Sequence, residues 1–383
     1  MPDQFTVTAT TGYGNRIVNS IKGVVVGFIL FIVSFGLLYW NEGRVDLSNI
    51  AKTAVEINSA TVSAESALNG KLISTTGVVN SNEVIGDNLF LKADKFIAAE
   101  RKVETYAWVE HEETKSKTNI GGSETTETTY TYRKEWTEMP KSSESFRHPE
   151  GHENPQKSLD SYTNKATAAT IGVYNFEPSS VILPDFAKVQ LNEQNTILSQ
   201  GAILANDSYV FIRKSESGVF ENPQVGDLRL SYSALRPGFN GTIFGKLSGS
   251  RIDSYFDQDG NHLYQLFVGT REEGIATLHS EYTKMTWILR LVGFLLMWFG
   301  LSALFGPISV LLDILPIFGA LSRSLIGIIT FVVSLILTMV TILVSMLVHN
   351  LVALIISLVI TIGAIIAFFI FMKKKKTATK LGA

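Results

Sequence analysis

A chain of 383 residues has room for one domain of ordinary size and a membrane bundle. Its net charge of −2 supplies no field that would draw it to nucleic acid, so no nucleic-acid partner is expected. It has no cysteine, which excludes disulfides, thiolate zinc sites, iron–sulfur ligation and cysteine nucleophiles.

The apolar residues lie at the two ends and the polar ones in the middle. Residues 1–22 form a short polar N-terminus with Gly12, Gly14, Arg16 and Lys22. Residues 23–40 (GVVVGFILFIVSFGLLYW) are apolar and close on Tyr39 and Trp40, where an aromatic belt belongs. The run is longer than the core of a signal peptide, and Asn41-Glu42-Gly43-Arg44 follows in place of a small-residue cleavage site. It reads as a first transmembrane helix.

Residues 41–286 read as a β-rich α+β domain inserted between the first and second spans. Val45–Asn69, rich in Ala, Ser, Val and Ile, predicts a helix leaving the membrane. From Lys71, β-branched residues mix with turn formers, which predicts short strands. Val103–Glu110 and Thr128–Trp136 alternate aromatic residues with a period of two and predict a long hairpin. Its tip, around Gly121-Gly122, is expected to be solvated and mobile. Arg147–Ser158 reads as loop and Ser161–Thr170 as a short helix. Further strands are expected in Ser208–Lys214, Gly226–Leu235 and Gly241–Gly249, with a hairpin over Tyr255–Gly269. Glu272–Met285 reads as a helix running into the second span.

Three apolar runs follow, 287–304, 324–348 and 351–372, and then a basic tail, 373–383, that opens with Lys373 to Lys376. A crossing needs roughly 20 apolar residues. The tail marks a cytoplasmic C-terminus, and counting back puts Arg323, Arg16 and Lys22 inside and 41–286 outside. Both termini are then cytoplasmic. The segment 305–323 holds Pro307, Asp313 and Pro316 and reads as a cytoplasmic interfacial or re-entrant piece, since a charge at the bilayer centre is costly.

Several strings along this path are distinctive: NEGR after the first span, RKVETYAWVE, TTYTYRKEW, GHENP, VGDLRLSYS, TWILRLVGFLLMWFGL and GPISVLLDILPIFGAL. Occurring in this order, they resemble the transmembrane protein 43 family, also called LUMA, over nearly the whole chain. The short N-terminus and lysine-rich end are similar to the bacterial form. The resemblance implies four spans with a large domain between the first two helices. It also implies, for eukaryotic members, residence in the endoplasmic reticulum and inner nuclear membrane and a role as oligomeric organisers of other membrane proteins. For a bacterial member the cytoplasmic membrane takes that place. The resemblance marks no catalytic residue.

No constellation in the sequence carries recognisable chemistry. His148, Glu150, His152 and Glu153 are capable of binding metal, but Pro149, Gly151 and Pro155 break the helix that an HExxH site requires. Asp257, Asp259 and Asn261 flank Gly260 without the spacing or distal Glu of a calcium loop. No catalytic, metal or cofactor residue is assigned. The candidate membrane-interface and packing residues are Glu42, Arg44, Arg290, Asp313, Gly23 and Gly27. Arg290 either snorkels to the headgroups or takes a buried role, pairing across the bundle or lining a polar path. Gly23 and Gly27 form a small-xxx-small pair suited to close helix contact. The expected function is that of a non-enzymatic, self-associating membrane scaffold, whose partners are the bilayer, other copies and other membrane proteins. The alternatives are an oligomeric pore with Arg290 and Asp313 near its path, and a membrane-tethered metal hydrolase using His148 and His152.

Overall fold

The computed structural model describes residues 3–61, 66–199, 201–214, 218–350 and 355. The predicted span 351–372 and the basic tail therefore lie outside the described residues, apart from Ile355. The chain divides into two compact units. The first is Met1–Thr8, Asp46–Lys115 and Glu127–Glu281, and the second is Ala9–Val45, Ser116–Thr126 and Tyr282–Ala383.

The first unit is β-rich, as its alternating pattern predicts. An eight-stranded sheet centres on Ala98–Thr118, which is flanked by Glu124–Thr137 on one side and Leu228–Leu235 on the other. Along Leu228–Leu235 the residues Leu228, Leu230, Tyr232 and Ala234 are buried, while Arg229, Ser231 and Ser233 take the other face, so the period of two holds. A seven-stranded sheet is built on Leu72–Asn80 and Phe239–Ser248, paired antiparallel from Phe239↔Val79 to Lys246↔Leu72. Its core gathers Ile73, Ile171, Tyr174, Phe176, Ile243 and Ile252. Asp87 ties the first sheet together. Its carboxylate accepts the backbone N–H groups of Leu89, Phe90 and Leu91, the Arg101 guanidinium at 2.9 Å and the Tyr232 hydroxyl. Burial works against its charge, but these bonds outweigh it and hold the carboxyl below its usual range.

Two predicted helices do not run as expected. Among the described residues of Val45–Asn69, helix is confined to α2 (Leu47–Lys52) and a 3-10 turn at Ser66–Leu68, and Val55–Asn58 pairs in parallel with Leu72–Asn80. Ser161–Thr170 supplies strand Tyr162–Lys165 and opens strand Ala169–Ile171. Short β-branched and aromatic runs pair across a sheet whatever their weak local preference, and here cross-strand packing prevails.

The second unit is helical. It contains α1 (Tyr13–Glu42), the apolar part of α3 (Arg271–Leu304), α4 (Gly306–Leu312) and α5 (Pro316–His349). Among the described residues, three helices are long and apolar enough to cross a membrane: those holding Tyr13–Glu42, Arg271–Leu304 and Ile317–His349. The predicted run from the soluble helix into the second span is one unbroken helix. It begins at a reciprocal capping box, in which Glu273 N–H donates to Thr270 Oγ1 and Thr270 N–H to Glu273 Oε2. Pro307 and Pro316 stand in the first turns of α4 and α5, where a missing N–H costs nothing. α5 starts at Pro316, ahead of the predicted Ser324.

Glycine sets the α1–α3 crossing. A Cβ on Gly27 would lie 2.7 Å from Ala303 Cβ and 2.8 Å from Gly300 O, and one on Gly300 would lie 2.7 Å from Phe31 N. A Cβ on Gly23 or Gly36 would meet nothing within 4 Å. Gly27 is thus spent inside the chain, while Gly23 faces open space. A line of hydroxyls on α5, Thr330, Ser334, Thr338 and Ser345, is buried in the same bundle. Thr330 bonds Ser302 on α3, and Ser345 donates to Tyr39 O on α1. Gly27→Leu should overpack this crossing at a cost of about 1–3 kcal/mol. Gly36→Leu should leave stability unchanged, a contrast that thermal denaturation in detergent would read.

Candidate functional site: two charged ends of the helical unit

At one end of the helical unit, four charges alternate in sign as a chain. Glu124 meets Arg16 at 3.0 Å, Arg16 meets Asp313 at 2.5 Å, and Asp313 meets Arg323 Nη1 at 2.6 Å. The Asp313 side chain is 0% exposed and that of Arg16 8%, whereas Glu124 and Arg323 stand 31% and 43% exposed. Gly319 makes room for the Asp313 carboxylate, which any Cβ there would overlap. The segment joining α4 to α5 is thereby fixed by a carboxylate that takes two arginines from different parts of the chain.

The tip of the long hairpin belongs to this end. Arg16 Nη1 donates to Gly122 O at 2.6 Å, Gly121 N–H donates to Ile314 O at 3.0 Å, and Arg323 Nη2 donates to Thr118 Oγ1 at 3.3 Å. The Tyr13 hydroxyl adds a bond to Leu311 O. The tip is therefore bonded and not free, although Ile120 and Gly121 stay exposed as a solvated turn would. The physical reason is that Gly121 and Gly122 adopt positive φ, which exposes backbone N–H and C=O groups that a guanidinium and a helix-end carbonyl can bond. A cleft of about 400 Å³ opens beside the chain of charges. It is lined by Ser116, Thr118, Glu124, Ser309, Arg323 and Gly327, among others.

At the other end Arg290 meets Glu42 in a two-bond fork, Nε to Oε1 at 2.8 Å and Nη2 to Oε2 at 2.7 Å. The guanidinium also lies over the Trp287 ring at 4.9 Å. Arg44 lies near the rings of Trp40 and Tyr282, and Asn41 donates to Thr286 O. His349 packs on Tyr39 with ring centroids 4.6 Å apart. A cleft of about 490 Å³ is lined by Glu42, Tyr282, Trp287, Arg290 and His349.

Of the sequence candidates, Glu42 and Arg290 are thus brought together, and Asp313 lies at the opposite end from both. Arg44 is held among aromatic rings and Gly27 lies in the α1–α3 crossing. Glu124 and Thr118 were missed because hairpin-tip residues look solvated in a sequence. The hydroxyls on α5 were also missed, although their spacing, at 330, 334, 338 and 345, was readable as one helix face.

The remaining polar constellations are packed into the fold, with His148 Nε2 buried and without a hydrogen-bond partner among the described residues. His152 stacks on Tyr132 at 4.0 Å and bonds His148 O, while His148 stacks on Phe5 at 4.2 Å. No group of three or more His, Asp or Glu side chains is placed to hold a metal among the described residues. Burial, followed by the bond to Glu110, pushes the Tyr132 hydroxyl up to about 12, so it serves as a donor and not as a base. The Asp257 carboxylate is consumed by its own turn, accepting from Asp259 N–H and Asn261 N–H.

Removing the carboxylate charge at Asp313 would take the shared partner from two arginines and leave the buried Arg16 with only Glu124 and Gly122 O. Asp313→Asn should cost about 3–5 kcal/mol. Arg290→Leu with Glu42→Leu should cost far less than either change alone, since replacing both members of a pair leaves no orphaned charge. Melting temperatures of the detergent-solubilised variants would check both.

A family profile described as Transmembrane protein 43 matches residues 105–351. The chain is 28% identical to Transmembrane protein 43 of Rattus norvegicus over 336 residues, covering 80% of this chain and 79% of the relative. Identity to the Homo sapiens protein of that name is 27% over 331 residues, with the same two coverages. A Transmembrane protein 43 homolog of Drosophila melanogaster is 29% identical over 295 residues, 72% of this chain and 74% of the relative. No solved structure matches the chain. With a profile match over more than half its length and three long apolar helices, the chain belongs to the transmembrane protein 43 family and is an integral membrane protein.

Proposed function

We propose that this protein is a non-enzymatic membrane scaffold that self-associates and organises membrane structure or membrane protein complexes. The observation that carries this reading is the extent of the helical unit. One apolar helix suffices to anchor a domain, yet three are present among the described residues, and their outward faces are broadly apolar. Apolar surface on that scale is suited to lipid, to other copies and to other membrane proteins. On α1, the open positions Gly23 and Gly36 lie on such outward surface. Beside Gly36, a shallow groove of about 440 Å³ runs between α1 and α5, lined by Phe35, Tyr39, Val340 and Val344.

The pore reading stood on Arg290 and Asp313, and the geometry weakens it. Arg290 is engaged by Glu42, and Asp313, fully buried, is engaged by Arg16 and Arg323, so neither offers a free charge to a path. The hydrolase reading stood on His148 and His152, whose rings are stacked against Phe5 and Tyr132.

The positive-inside rule assigns the Arg16 and Arg323 end to the cytoplasm. The hairpin tip Ser116–Thr126 goes with that end because it bonds both arginines. The placement of 41–286 outside the cytoplasm is therefore proposed for this segment apart from the hairpin tip. Four crossings with a cytoplasmic C-terminus remain part of the proposal, with the fourth span lying outside the described residues.

Mass photometry of the protein in lipid nanodiscs should show assemblies larger than one chain, and Arg290→Leu should leave bilayer conductance absent. A strictly monomeric population would contradict self-association, and conductance that changes on Arg290→Leu would return the pore reading.

A further inference from the structure

The chain of charges Glu124–Arg16–Asp313–Arg323 has an uneven distribution of spare bonding capacity. Its two inner members are buried and spent on one another. Its two outer members are partly exposed, and both line the same cleft of about 400 Å³. Glu124 uses only Oε2 on Arg16, and its Oε1 has no partner among the described residues. Arg323 gives Nη1 to Asp313 and a 3.3 Å bond from Nη2 to Thr118, and its Nε has no partner among the described residues. The cleft therefore presents one unspent acceptor of negative charge and one unspent donor of positive charge.

Two further features point to an occupant. Ser309 lines the cleft, and its hydroxyl makes no hydrogen bond among the described residues, so it is open to an occupant. The wall formed by Val310, Ile326 and Gly327 is apolar, and Ile329, three residues on from Ile326 and so beside it on α5, is an exposed apolar side chain. A ligand matching this surface carries a phosphate for Arg323, Thr118 and Ser309, a cation with N–H donors for Glu124, and an apolar chain.

We propose that this cleft binds the phosphoethanolamine headgroup of a membrane phospholipid, with its acyl chains along α5. A primary ammonium can donate hydrogen bonds to the free Glu124 oxygen, whereas a choline headgroup has no N–H to give. A glycerol headgroup offers Glu124 no cation. Binding in this cleft does not require the self-association proposed above.

Native mass spectrometry of the full-length protein, delipidated and then supplied with one phospholipid at a time, tests this. Phosphatidylethanolamine should be retained about tenfold better than phosphatidylcholine or phosphatidylglycerol, the scale of one hydrogen bond to a charged group. Soluble phosphoethanolamine at the same concentration should not be retained, because the apolar wall would go unused. Glu124→Gln should erase the preference for phosphatidylethanolamine. Gly327→Leu fills the cleft while leaving all four charges in place and should abolish retention. Equal retention of the three lipids, equal retention of the soluble headgroup, or a preference that survives both substitutions would overturn the proposal.

Discussion

The structure of the helical unit depends on one buried carboxylate. Asp313 carries no solvent exposure and lies between two guanidiniums, Arg16 at the start of α1 and Arg323 early in α5. A charge in such a place is tolerated only when it is paired and hydrogen-bonded, and here the pairing fixes geometry. It fastens the turn between α4 and α5 to the beginning of α1. Through Arg16 it also reaches Gly122 and Glu124 of the hairpin tip. Segments nearly three hundred residues apart in sequence are thereby held in one cluster.

The Glu42–Arg290 fork does the same work at the other end, joining the last turn of α1 to α3. Between these two polar ends the helices meet through shape. Gly27 and Gly300 let α1 and α3 approach at backbone distance, and buried hydroxyls of α5 bond across to α1 and α3. Lipid gives no hydrophobic drive for helices to associate, so close packing and hydrogen bonds must supply it. The bundle is consistent with that requirement, with its polar contacts inward and its apolar side chains outward.

The long periodic features of this fold were legible in the sequence. Three of the apolar runs are helices, and the alternation of Tyr106, Trp108, Tyr130 and Tyr132 reports a real hairpin. The helix from Glu272 into the second span was readable because its helical composition runs on into an apolar run. Short segments were not. Val55–Asn58 and Tyr162–Lys165 are strands only because a neighbouring strand pairs with them, a non-local cause that local composition does not record. The charged ends were half legible. Arg290, Glu42 and Asp313 stand out because charge is rare in apolar surroundings, so each was singled out. Their partners could not be assigned, because pairing is set by which helices touch. The hairpin tip was half read: Ile120 is exposed as a turn composition predicts, but nothing local in Asn119-Ile120-Gly121-Gly122 marks it as bound.

The proposed topology puts the two charged ends of the helical unit on opposite sides of a membrane, with the hairpin tip on the side of Arg16. The chain has no cysteine of its own, so single cysteines can be placed without background. Asn15, Ile120 and Lys284 are all exposed, at the start of α1, in the hairpin tip and near the Arg290 end respectively. Labelling with a membrane-impermeant maleimide, applied to sealed vesicles of each orientation, is the most direct test. Asn15→Cys and Ile120→Cys should react from one side and Lys284→Cys from the other. Reaction of Ile120→Cys from the same side as Lys284→Cys would contradict the account.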